Sequence, residues 1–179
     1  MKYVLNVGGG AGRQLPNHYD GWEQHLLDID SYVNPDICCD TRQMTDVVKS
    51  QYYDAVYCSH NLEHYYKHEV QTILNNFKFA LKLGGTIEIH VPNLKNLVDT
   101  IKMSNLDIDD VWYRLEGGIP VSFHDVLYGW NHAMSNGNIY YAHKCGFTAI
   151  SLHKELTLAG FKDIIIQENG PNLAAFGKV

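Results

Sequence analysis

Apolar residues in this chain come first in short unbroken runs and then in a helical rhythm. Tyr3-Val4-Leu5-Asn6-Val7 opens the series and ends in Gly8-Gly9-Gly10-Ala11-Gly12. Four further runs follow: His25-Leu26-Leu27-Asp28-Ile29, Asp36-Ile37-Cys38-Cys39-Asp40, Asp54-Ala55-Val56-Tyr57-Cys58 and Thr86-Ile87-Glu88-Ile89-His90-Val91. Short runs without alternation suit strands covered on both faces, as in the middle of a parallel sheet. Between the fourth and fifth runs, Leu62, Tyr65, Tyr66, Val70, Ile73, Leu74, Phe77 and Leu81 recur at three- and four-residue steps. That spacing gives one apolar face and predicts a long helix, with Gly84-Gly85 as its left-handed stop. Residues 41–50 and 94–103 carry weaker helical patterns.

Near the end, residues 151–159 read as a helix stopped by Gly160. Residues 161–167 and 173–179 then read as strands joined by the turn sequence Asn169-Gly170-Pro171-Asn172, which predicts a hairpin. Strands and helices alternating in this order predict an α/β fold: a doubly wound, mostly parallel, seven-stranded Rossmann-like sheet with a C-terminal antiparallel hairpin. The stretch of about 93–148 is too long for a plain connection and is expected to form a helical cap insertion over one end of the sheet. Within it, Ser122 is a good N-cap for a helix whose apolar stripe is Phe123, Val126, Leu127, Trp130 and Met134, ending at Gly137. His124, Tyr128 and His132 fall at four-residue steps on another face of that helix. No repeat, low-complexity tract or linker interrupts the pattern, so residues 1–179 read as one domain with the cap included.

Charge and cysteine usage narrow the partners. A formal net charge of −6 without a dense Lys/Arg stripe argues against nucleic acid. No apolar run is long enough to span a bilayer, and no leader precedes the first strand, so no membrane partner and a cytoplasmic location are expected. Cys38 and Cys39 are adjacent while Cys58 and Cys145 stand alone. The regular spacing of a disulfide scaffold or zinc ribbon is missing, and reduced thiols are expected.

In open parallel sheets, ligands sit beyond the carboxyl ends of the strands, at the switch point beside the first one. The glycine loop after Val7 falls at that place. It is not a dinucleotide fingerprint: counted from Gly8 the third glycine position is Arg13, and counted from Gly10 it is Leu15. Nor is it a phosphate loop, since no Gly-Lys-Ser/Thr follows. The pattern present is GxGxG, namely Gly8, Gly10 and Gly12. Asp28 follows Gly8 by about the twenty residues that put an acid at the end of the second strand, in reach of ribose hydroxyls. Asp40 closes the third run, within reach of an adenine amino group, and Tyr57-Cys58-Ser59-His60-Asn61 closes the fourth.

These segments together resemble the class I S-adenosylmethionine-dependent methyltransferases, and within them the small bacterial predicted methyltransferases of the type-11 domain group. The matching stretches are Leu5 to Gly12, Leu27-Asp28-Ile29-Asp30, Tyr53 to His64 (with Ser59-His60-Asn61-Leu62-Glu63-His64 the most specific), and Leu81 to Ile89. The resemblance implies S-adenosyl-L-methionine as cofactor and S-adenosyl-L-homocysteine as its product. Carried over by position, Gly8, Gly10 and Gly12 line the methionine and ribose portion. Asp28 with Ile29 holds the ribose, Asp40 with Thr41 the adenine, and the Ser59–His60 backbone the sulfonium end. Asp30 competes with Asp28 for the ribose role, and Asp28 is preferred because Asp30 lies further into the loop. Asn6 stands where many members carry an acid near the methionine ammonium; it keeps a carbonyl acceptor but no charge.

For the acceptor side, histidine is the natural base near neutral pH, and the chain has 10. His60 and His64 flank the methyl-donor position; His64 reads equally as a packed or capping residue. His124 and His132 belong to the cap helix, on a face that is either solvated or overhangs the cleft, and His143 is a further candidate. The base candidates are therefore His60, His64 and His124. Histidines four apart can chelate a metal, but no spacing commits a third ligand, and no metal is expected. Trp112, Tyr113, Trp130, Tyr140 and Tyr141 in the cap suggest a small polar acceptor, such as a sugar or glycan precursor. Two rivals use the same sheet: a domain that binds S-adenosylmethionine without turnover, and a nicotinamide-dependent oxidoreductase, against which the missing third glycine counts.

Overall fold

Val4, Leu5, Asn6 and Val7 have no exposed surface, and the sheet order gives the reason. The computed structural model describes residues 1–179. Its strands are β1 (Tyr3–Val7), β2 (Glu23–Asp28), β3 (Ile37–Cys38), β4 (Tyr53–Ser59), β5 (Leu81–Pro92), β6 (Val111–Arg114), β7 (Pro120–Ser122), β8 (Lys162–Asn169) and β9 (Asn172–Lys178). Seven of them form one sheet in the order β3-β2-β1-β4-β5-β9-β8, with β6 and β7 as a separate hairpin. β1 sits between β2 and β4, parallel to both, so its residues meet neighbours on every side. β9 runs antiparallel to β5, and β8 antiparallel to β9. The turn joining β8 to β9 contains Gly170 at φ +59, a left-handed conformation that glycine adopts without steric cost.

The helices are α1 (Val70–Ala80), α2 (Leu94–Ser104), α3 (Phe123–Tyr128), α4 (Asn131–Ser135) and α5 (Ala149–Leu158). One face of the sheet presents Leu5, Val7, Val56, Cys58, Ile87, Ile89 and Leu173 to Ile73, Leu74 and Phe77 of α1 and Leu152 and Leu156 of α5; all belong to one core of 25 buried residues. Alternate residues of the same strands face the other way, as the pleat requires. There the connection from β1 to β2 contains only a single helical turn, Asn17–Tyr19, which seats Tyr19 on Val4 and Ala55. Glu88, also on that face, accepts hydrogen bonds from the Tyr19 hydroxyl (2.9 Å) and pairs with His18 and His90 (both 2.8 Å).

Burial pushes the Glu88 carboxyl up, but those three partners outweigh it and hold it below the usual carboxylate range. A carboxyl lowered in the folded state stabilises the fold above its ordinary value and loses that contribution as pH falls through the folded value. Stability measured by urea unfolding should therefore fall between about pH 5 and pH 3. Glu88→Gln should flatten that decline; an unchanged pH slope in the variant would contradict the assignment.

Three elements differ from the sequence expectations. The predicted long helix begins only at Val70; Leu62–His64 is a separate helical turn and Tyr65 is extended. It also ends at Ala80 rather than at Gly84, because Leu81 already pairs with Tyr53 as a strand. Gly84, at φ +76, instead belongs to a register shift within β5. In the cap, Ser122 caps α3 through a reciprocal box with Asp125, yet α3 stops at Tyr128. Gly129 has φ +101, and a Cβ there would lie 1.9 Å from the Tyr141 carbonyl oxygen. The chain breaks at that contact and restarts as α4, so Trp130 and Met134 do not continue the α3 stripe and His132 leaves the face of His124. The cap keeps a small core of its own, Leu97, Val121, Phe123 and Val126. No helix is long and apolar enough to cross a membrane.

Candidate functional site

The winding reverses between β1 and β4, so their carboxyl ends open a cleft. Gly8, Gly10, Asp28, Ile29, Asp30, Asp40, His60 and His64 all line it. The loop after β1 is built around small size. Gly8 has φ +70 and presses on Asn61; a Cβ there would lie 2.2 Å from the Asn61 Nδ2. Gly9 covers the Asn6 side chain, with only 2.4 Å from an added Cβ to Nδ2. Gly10, at φ +58, has nothing within 4 Å of such a Cβ and leaves bare backbone facing open space. Beneath the loop, both polar atoms of the fully buried Asn6 carboxamide lack a hydrogen-bond partner.

Asp28, at the end of β2, ties this loop down. Its Oδ2 accepts from the Gly10 N–H (3.2 Å) and its Oδ1 from the Asp30 N–H (3.0 Å). A carboxylate has about four acceptor positions, so roughly two stay free for a ligand. Asp30 instead caps the turn Ser31–Val33 by accepting from the Tyr32 N–H. Across the cleft, Asp40 accepts from the Arg42 backbone (2.9 Å) and side chain, and Arg42 also reaches Glu69 at 2.8 Å. Burial pushes the Asp40 carboxyl up, but the guanidinium overrides it and holds the group low. This part of the cleft is thus walled by an acid whose charge is matched by Arg42.

The other end is built on the close of β4. His60 stands in the left-handed region at φ +49, with its N–H donating to the His90 carbonyl at 2.8 Å. A non-glycine residue held in that conformation is strained, a state common at ligand sites. Three residues on, Glu63 is 1% exposed. Its side chain lies 3.3 Å from His60 Nδ1 and 4.0 Å from His143 Nε2, with no hydrogen bond to either carboxylate oxygen. Burial would raise its pKa; His60, then His64 and His143, overcome that and keep it low. The Glu63 carbonyl accepts from the N–H groups of Lys144 (2.8 Å) and Cys145 (3.2 Å). That pair of bonds brings the returning cap segment over the cleft, where Asn138, Tyr140, Tyr141 and Lys144 line it.

Most of the residues expected from sequence meet here, with exceptions, the first being Asn6, which is sealed beneath Gly9 and does not line the cleft. Gly12 is exposed on the outer part of the loop and does not line the cleft. Thr41 is 3% exposed below the cleft floor, its carbonyl bonded to Asn76 at 2.8 Å, and Ser59 stays within β4. His124 lies outside the cleft, its ring packed on Tyr128. The cap histidine that approaches the cleft is His143, whose ring stands 4.9 Å from that of His64. Sequence reasoning gave no role to Arg42, Lys144 or Glu63. The available signal for Glu63 was an acid set between two histidines at the end of a strand.

No family model matches this chain, and no curated protein matches it by sequence. Solved structures do match over nearly its whole length. A SAM-dependent methyltransferase from Archaeoglobus fulgidus superposes with TM-score 0.63 at 18% identity, over 99% of this chain and 86% of that one. The 1,6-didemethyltoxoflavin-N1-methyltransferase of Burkholderia thailandensis, with bound 1,6-didemethyltoxoflavin and S-adenosylhomocysteine, gives 0.56 at 15%, over 98% and 70%. Human N-acetylserotonin methyltransferase, in complex with SAM, gives 0.60 at 16%, over 98% of this chain and 47% of that one. The chain therefore has the fold of the SAM-dependent methyltransferases.

Proposed function

We propose that this protein is an S-adenosylmethionine-dependent methyltransferase whose acceptor is a small polar molecule, such as a sugar or glycan precursor. The observation that carries this reading is the cradle itself: bare backbone at Gly8 and Gly10, latched by Asp28 at the end of β2, above a buried Asn6 carboxamide without a partner. The residues fit the cofactor. Asp28 has acceptor capacity left for ribose hydroxyls, whereas Asp40 lines the cleft with its oxygens already accepting from Arg42 and Asn6 is sealed beneath Gly9, bracing the loop from below. The same loop suits a dinucleotide poorly. A pyrophosphate binds where a glycine turn leads into a helix N-terminus, and here only the turn Asn17–Tyr19 follows before β2.

S-adenosylmethionine brings an electrophilic methyl group on a sulfonium, so the chain's own work is to orient the acceptor and handle its proton. His60 and His64 line the cleft at the end of β4 and are the candidate bases, with Tyr140 and Tyr141 lining it too and the Tyr141 ring beside that of His64. A thermal-shift comparison tests the reading. S-adenosylhomocysteine is expected to raise the unfolding midpoint, as a ligand of the native state must, and NAD to leave it unmoved. A shift with NAD and none with S-adenosylhomocysteine would overturn it. Transfer of labelled methyl groups to a panel of hydroxyl and amine acceptors then separates turnover from binding alone.

A further inference from the structure

Glu63 is an unusual carboxyl group: 1% exposed, with no hydrogen bond on either oxygen and His60 Nδ1 standing off at 3.3 Å. Leaving a charge in that state is costly unless something of opposite sign meets it. Around it, one ligand-type atom from each of Glu63, His64 and His143 lies within 4.8 Å of the others. The two rings are oriented by the backbone. His64 Nδ1 is 3.1 Å from the Ala142 carbonyl oxygen, and His143 Nδ1 is 2.9 Å from that of Val126. A carbonyl only accepts, so in both rings Nδ1 carries the proton, and in the neutral ring Nε2 is left with its lone pair. His143 Nε2 then stands 4.0 Å from a carboxylate oxygen, too far for a hydrogen bond. Two acceptors facing each other across that gap leave room for a cation between them.

We propose that Glu63, His64 and His143 form a mononuclear divalent-metal site that takes Zn²⁺ or Co²⁺ and keeps open coordination positions toward the cleft. Two imidazoles and one carboxylate are a donor set suited to these ions, and three protein ligands leave room for a further one. Ring N–H groups anchored on backbone carbonyls are the outer support that metal-ligating histidines ordinarily have. Ligand atoms around such an ion lie about 3–3.5 Å apart, given bonds of about 2.0–2.2 Å, so small side-chain rotations close the triad. His64 also lines the cleft, together with Asn138, whose buried Oδ1 lacks a partner.

The ion's role rests on the methyltransferase reading. An acceptor hydroxyl bound at the open position would have its pKa lowered and would lose its proton to solvent rather than to His64, whose Nε2 lone pair would then be on the ion. Its oxygen lone pair then forms the bond to the methyl carbon as the C–S electron pair returns to sulfur. The acceptor class this selects is an oxygen nucleophile.

The test uses untagged, chelator-treated full-length protein titrated with Co²⁺ alone and with Zn²⁺ alone. One equivalent should bind, with Co²⁺ giving the visible absorption of a low-coordinate site. Glu63→Gln and His143→Ala should each weaken binding by at least about a hundredfold, more than loss of an outer-shell partner does. His153→Ala, an exposed position on α5, should leave it unchanged. Should His143→Ala fail to fold, Glu63→Gln, which keeps the buried shape, carries the comparison. No saturable binding in the wild type, or binding that persists undiminished in Glu63→Gln, overturns the site. S-adenosylhomocysteine binding is measured separately: its absence alongside triad-dependent Co²⁺ binding sinks the transfer reading and leaves the metal site standing.

Discussion

Asp28→Ala is expected to abolish measurable S-adenosylhomocysteine binding in calorimetry, and Asp30→Ala to lower affinity by less than about tenfold. The asymmetry follows from what each acid touches. Asp28 has a free share of its carboxylate facing the cleft, and it also holds the Gly10 N–H at 3.2 Å. Hydrogen bonds to charged groups contribute about 1.5–3 kcal/mol each, so losing two to a ribose costs roughly 10² to 10⁴ in affinity. Loosening of the glycine loop adds to that. Asp30 is already engaged as the cap of the turn after it, accepting from Tyr32 at 2.9 Å. Asp28→Asn should fall between the two, since it keeps an acceptor and loses the charge. The reverse ordering of the alanine variants would move the ribose contact to Asp30.

Gly129→Ala is expected to destabilise the fold by about 3 kcal/mol or more and to disturb the cleft from a distance. The backbone at φ +101 and ψ 165 is one that essentially only glycine adopts, and it costs an L-residue about 1–3 kcal/mol. The larger cost is the collision: the added carbon would sit 1.9 Å from the Tyr141 carbonyl oxygen and 2.9 Å from the Ala142 Cα and the His143 N. Relief requires Tyr141–His143 to move, and Tyr141 lines the cleft. Urea unfolding reads the first effect; acceptor-side kinetics or Co²⁺ affinity reads the second. A variant as stable as the parent would mean the break between α3 and α4 is not set by this contact.

The same glycine shows why the cap was harder to read than the sheet. Val4-Leu5 and Ala55-Val56 announce their strands because a run buried on both faces has little choice of residue, and that pressure is written locally. Phe123, Val126, Trp130 and Met134 fall at helical spacing too, yet the helix ends at Tyr128 because of a backbone oxygen from residues much later in the chain. Leu62 and Tyr65 misled in the same way: they are apolar because they are covered, Leu62 in the main core and Tyr65 against it, and periodicity reports covering rather than backbone shape.

The glycine turn and the acid closing the second strand were legible because they are local features at a fixed separation. The far wall of the cleft was not. Glu63 and His143 are adjacent only because Lys144 and Cys145 donate to the Glu63 carbonyl, and no pattern in the sequence marks that long-range pairing. His124, a candidate base from its helical position, lies outside the cleft with its ring on Tyr128.

Those two donations onto one carbonyl have a consequence for how the molecule comes apart. The cap is pinned to the residue that lies just beyond the close of β4, so it cannot peel away as an independent unit without releasing the buried carboxylate to water. Fraying there and failure of the reaction chamber are then a single cooperative event, and heat should silence the protein at the temperature where its tertiary structure dissolves, with no dormant folded stage before it.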